Sequence, residues 1–133
     1  MLCGLALAAC GHCPSEPLKS YEPQGDITLR LERNGCGGAT GGFVYEVQAY
    51  STADRAGTML LRFDNDHRHD WDDDPEKVLD VRWLSPRHAQ IRFHYPVRVF
   101  RARATADDVT VGYDFAHGTN LMTGWFGASR IVE

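Results

Sequence analysis

Apolar and polar residues alternate along most of the chain from Asp26 onward. Ile27, Leu29 and Leu31 fall on one side, and Thr28, Arg30 and Glu32 on the other. A period of two is the signature of a half-buried strand. The same alternation returns at Phe43, Tyr45, Val47 and Ala49, set against Val44, Glu46 and Gln48. A glycine-rich connection, Asn34 to Gly42, joins these two segments, which predicts a hairpin. Met59, Leu61 and Phe63 mark a third strand, Leu79, Val81 and Trp83 a fourth, and Ile91, Phe93 and Tyr95 a fifth. Pro86 sits in a turn, and Pro96 implies a bend or an edge position. Val97 to Arg103 keeps β character, Val109, Val111 and Tyr113 mark a further strand, and a last one is expected near Arg130 to Val132.

No long segment has the helical period, and no apolar run reaches the ~18 residues of a spanning helix. The pattern predicts a mainly β protein: an antiparallel sheet of six to eight short strands forming a sandwich or open barrel. At 133 residues, 43% of them hydrophobic and 24% charged, the chain is one globular domain with a real core. A net charge of −4 argues against a general nucleic-acid binder.

The charge is unevenly placed. Asp64 to Asp80 holds eight acids and two bases, and Arg82 to Ala104 holds six arginines and no acid. Mutual neutralisation of these neighbouring blocks is the simplest reading, and exposed pairs of that kind contribute little each. Both blocks are also candidate sites. In the first, Asp64, Asp66, His67, His69 and Asp70 offer carboxylates suited to calcium and imidazoles suited to zinc. Asp64-x-Asp66-x-x-x-Asp70 follows part of an EF-hand loop, but His69 stands where glycine belongs and Pro75 where the bidentate acid belongs. In an extended loop, His67 and His69 would turn their rings to one side. In the second block, Arg92 and His94 share a face, and Arg98, Arg101 and Arg103 follow; such a row suits carboxylate or phosphate groups of a partner.

The N-terminal segment reads differently. Met1 to Ala9 is short and apolar, and ends in Leu7-Ala8-Ala9-Cys10. This resembles a lipobox, the type II signal-peptide pattern of bacterial lipoproteins. The resemblance implies cleavage before Cys10 and acylation of its thiol, with palmitate among the chains attached. Residues 1–9 are then the remainder of a signal peptide, residues 10–25, with Pro14, Pro17 and Pro23, a lipidated tether, and residues 26–133 the β domain. Gly11 after Cys10 favours the outer membrane, facing the periplasm, by the same resemblance. In that oxidising compartment Cys13 and Cys36 are either a disulfide or two free thiols.

The strand that leads into Cys36-Gly37-Gly38-Ala39-Thr40, the following strand, and Val81-Arg82-Trp83-Leu84-Ser85 together resemble a family of small uncharacterised bacterial proteins with a Cys-Gly-Ala-Thr loop. That resemblance implies architecture and no activity. The chain has no G-x-S-x-G, H-E-x-x-H or S-x-x-K motif. The glycine loop precedes a strand, whereas a nucleotide loop needs a helix after it. The expected function is therefore a non-enzymatic, membrane-anchored envelope module that binds another envelope protein, as an inhibitor or toxin-neutralising protein. Calcium or zinc binding by the acidic loop, and a hydrolase with an unrecognised site, are the alternatives.

Overall fold

A computed structural model describes residues 15–35, 43–53, 56–106 and 108–122. Among the described residues, ten strands form two sheets. Strands β1 (Ser15–Ser20), β2 (Ile27–Asn34), β3 (Val44–Ser51), β4 (Thr58–Asp64), β7 (Arg98–Ala102) and β10 (Asn120–Leu121) lie in that order in the larger sheet. Strands β5 (Leu79–Ser85), β6 (His88–Phe93), β9 (Val109–Asp114) and β8 (Thr105–Ala106) form the smaller one. A single 3-10 turn, Pro75–Lys77, precedes β5. Eight of the described strands have five or more residues, seven of them where the alternation predicts a strand and the eighth being β1, and the other two have only two residues each.

The sheets pack face to face as a sandwich. Leu29, Leu31, Val47, Leu61 and Phe63 of the larger sheet meet Leu79, Ile91, Val109 and Val111 of the smaller, all buried. Phe63 meets Phe93 edge-on across the layers, with centroids 5.1 Å apart, a favourable aromatic arrangement. The β2–β3 hairpin pairs without a slip from Ile27↔Ser51 to Asn34↔Val44. The chain leaves the larger sheet after Ala102 and enters the smaller one at Thr105. That switch has a consequence for direction: β6 pairs with β9, and β7 with β10, in parallel. Each parallel partner follows an excursion into the other sheet, which local alternation does not reveal.

Two expectations change. Residues 10–25 do not all form a tether: Ser15–Ser20 is the edge strand β1, antiparallel to β2, and Tyr21 is buried in the core. The prolines mislead here because an edge strand tolerates a missing donor at Pro17. In β4, Leu60 and Leu61 are both fully buried, which strict alternation forbids. The register against β3 slips at this point, from Val47↔Leu61 to Gln48↔Met59, so Leu60 is the extra residue of a bulge. Its carbonyl is not orphaned: it accepts from the Arg103 N–H at 2.8 Å and lies 3.1 Å from the Tyr113 hydroxyl.

Candidate functional site

The acidic segment begins where β4 ends. Asp64 faces Arg98 across the β4–β7 pair, and the guanidinium grips both carboxylate oxygens, with Nε at 3.0 and 3.2 Å and a shorter Nη2 contact. Asp64 Oδ1 also accepts the Asp66 backbone N–H at 2.9 Å. The chain then turns sharply, with Asp66 and His67 at φ +52° and +61°. Asp72 is half-buried and braces the turn. It accepts from Asn65 Nδ2 at 2.9 Å and bonds His69 Nδ1, and these two contacts hold its pKa below the usual carboxylate value. Trp71 anchors the segment. It is buried against Tyr45, edge-on at 5.0 Å, and Phe63 at 6.2 Å.

This geometry does not assemble the expected metal ligands. Asp64 is committed to Arg98, and the left-handed turn at Asp66 and His67 breaks the extended run that would align His67 with His69. Asp70 is exposed, while Asp72, another acid of the same segment, and Asn65 hold the loop together. Among the described residues, no three His, Cys, Asp or Glu side chains converge as metal ligands would.

The arginine block is likewise divided. Arg92 lies in β6 of the smaller sheet and His94 just past its end; Arg92 pairs with Asp114 at 3.5 Å, and His94 Nε2 is hydrogen-bonded to Asp80 at 2.6 Å. Arg98 and Arg101 belong to β7 of the larger sheet, and Arg103 lies at the corner between the sheets. The five therefore form no continuous row, because the chain changes layer between Phe93 and Arg98. Acid–base neutralisation between the two blocks does occur at Arg98–Asp64, and His94 Nε2 is hydrogen-bonded to Asp80. Cys10, Cys13 and Cys36, and the expected strand at 130–132, lie outside the described residues.

The outer face of the larger sheet carries a polar cluster that local sequence reading missed. Glu32 and Glu46 sit opposite each other in the β2–β3 register and are only 5% and 9% exposed. Glu32 accepts from Arg30 Nε at 2.8 Å and from the Tyr50 hydroxyl. Glu46 accepts from Gln48 Nε2 at 2.7 Å and pairs with Arg62 at 2.9 Å. Arg30 also lies over the Tyr50 ring, 4.1 Å from its centroid. Burial, and then the bond to Glu32, raise the Tyr50 phenol. Each buried carboxylate is thus matched to a cation and a neutral donor, as burial of charge requires. The only advance signal was that these residues occupy the polar phase of adjoining strands.

An open cleft of about 330 Å³ lies at one end of the sandwich. Asp26, Ile27 and Tyr50 of the larger sheet line it, with Arg87, Asp108 and Val109 from the smaller one. Asp108 holds a left-handed backbone, φ +66°, just before β9. The cleft brings together three charged residues, Asp26, Arg87 and Asp108, from distant parts of the chain. Such a surface can bind polar side chains of a partner.

No protein-family model, curated protein or solved structure matches the chain.

Proposed function

We propose that this protein is a lipid-anchored module of the bacterial cell envelope that acts by binding another envelope protein. The observation that carries the reading is Leu7-Ala8-Ala9-Cys10, a lipobox pattern, placed just ahead of a β domain whose first strand begins at Ser15. A sandwich whose strands are tied by cross-strand ion pairs offers a stiff surface, and preorganised surfaces bind with a smaller ordering cost. The distribution of charge also fits a binding role: cleft and loops carry charge at the ends of the sandwich, where a partner can reach it.

The test is expression of the protein from its natural gene in a bacterial host supplied with labelled palmitate. Labelled protein in the membrane fraction is expected, and Cys10→Ser abolishes both label and membrane association. Unlabelled protein that stays in the cytosol sinks the anchoring. For the binding role, a photo-crosslinker at Arg87 is expected to trap one partner in stoichiometric yield. Repeated absence of any adduct sinks the binding role.

A further inference from the structure

We propose that the end of the sandwich bearing Ser15, Arg33 and Phe43 faces the membrane surface, with Phe43 at headgroup level, while the cleft end faces away. This inference rests on lipid attachment at Cys10.

Ser15 lies five positions after Cys10, and a fully extended chain spans at most ~3.6 Å per residue, so the Ser15 backbone stays within roughly 18 Å of the Cys10 backbone. The sheet register then decides what else lies at that level. Ser15 pairs with Asn34 and Asn34 with Val44; Asp64 pairs with Arg98 and Arg98 with Asn120. One end of the larger sheet therefore holds the start of β1, the ends of β2 and β4, and the starts of β3, β7 and β10. The cleft is at the other end, near Ile27↔Ser51. β2 has eight residues, about 26 Å at ~3.3 Å each, so the two ends are well separated.

The anchor end has the chemistry of an interfacial surface. Glu16, beside Ser15, pairs with Arg33 at 2.5 Å, and the Arg33 guanidinium lies 4.5 Å from the Phe43 ring centroid. Phe43 remains 49% exposed. An aromatic ring flanked by an arginine suits the headgroup layer, which takes an apolar body beside a charged tip. Leu121, 44% exposed, is at the same end, whereas Leu84, 51% exposed, is at the far end beside Trp83, whose indole N–H donates to the Glu22 carbonyl. The acidic segment after Asp64 also lies at the anchor end and should oppose close approach to anionic lipid at low salt.

The experiment uses full-length lipidated protein in phosphatidylcholine vesicles containing lipids brominated near the headgroup. Tryptophan emission is compared for wild type, Phe43→Trp and Leu84→Trp, with palmitate incorporation measured on the same samples. The emission added by Phe43→Trp is expected to be largely quenched and that added by Leu84→Trp left intact. Replacing part of the lipid with phosphatidylglycerol at low salt should reduce the Phe43→Trp quenching, and added salt should restore it. If Phe43→Trp fails to fold, Leu121→Trp takes its place at the same end. Absence of palmitate overturns anchoring and orientation together. Palmitate with equal quenching at both ends, with quenching at Leu84→Trp alone, or with none, overturns the orientation and leaves anchoring standing. Stronger quenching on anionic vesicles also overturns it.

Discussion

Ion pairs of similar appearance differ here in how much solvent they retain. The Arg98 and Asp64 side chains are 24% and 13% exposed and bond through both carboxylate oxygens; Arg92 and Asp114 are 68% and 55% exposed and meet at 3.5 Å. Arg98→Ala leaves a partly buried carboxylate without its cation and is expected to lower stability by about 2 kcal/mol. Arg92→Ala should stay within about 0.5 kcal/mol. Urea denaturation of both variants checks the contrast, and equal losses would refute it. Tyr113 gives a second test. Its hydroxyl donates to the Arg103 carbonyl at 2.7 Å, and burial pushes its pKa well above the ordinary 10.0. Below pH 10 the phenol is protonated in both states, so its contribution is complete. Above that, unfolding releases a proton that the folded state keeps, so stability falls as pH rises. Tyr21, raised mainly by burial, adds to the same alkaline loss. Tyr113→Phe is expected to cost about 1 kcal/mol at neutral pH and to show a shallower decline above pH 10.

At the level of the strands, the edge strand β1 is the element whose role the sequence pattern conceals. Its residues are mostly exposed, yet it pairs along β2 and leads into Tyr21, which is 8% exposed. Glu22 beyond it accepts the Trp83 indole N–H at 2.9 Å, joining the two sheets at that edge. A chain starting at Gln24 therefore loses a strand, a buried ring and that bond. It is expected to be at least about 3 kcal/mol less stable, from loss of the aromatic ring alone. It should also self-associate through the uncovered β2 edge. Urea midpoints and sedimentation measure both; a shortened protein as stable and monomeric as the parent would return residues 15–24 to the role of a tether.

Across the whole molecule, the folded arrangement gives several of the charged groups partners within the chain. The acidic segment is braced by Arg98, Asn65 and His69 and pinned by Trp71. Calcium or zinc up to millimolar concentration is accordingly expected to leave the thermal midpoint where chelator-treated protein has it, since only a ligand that prefers the folded state raises it. A rise with either metal would show that the segment rearranges around an ion.

Mainly β architecture, the hairpin from Ile27 to Ser51, and most inward-facing residues were legible in the alternation, because the two faces of a strand meet different solvents and neighbouring residues record it. The bulge at Leu60, the strand made by Ser15–Ser20, the division of the arginines between two layers and the cleft joining Asp26 to Arg87 and Asp108 were not. Each depends on which strand pairs with which, and in what direction. That choice is made by burial summed over the whole core and by closure of long connections, for which no short stretch of chain carries a signature.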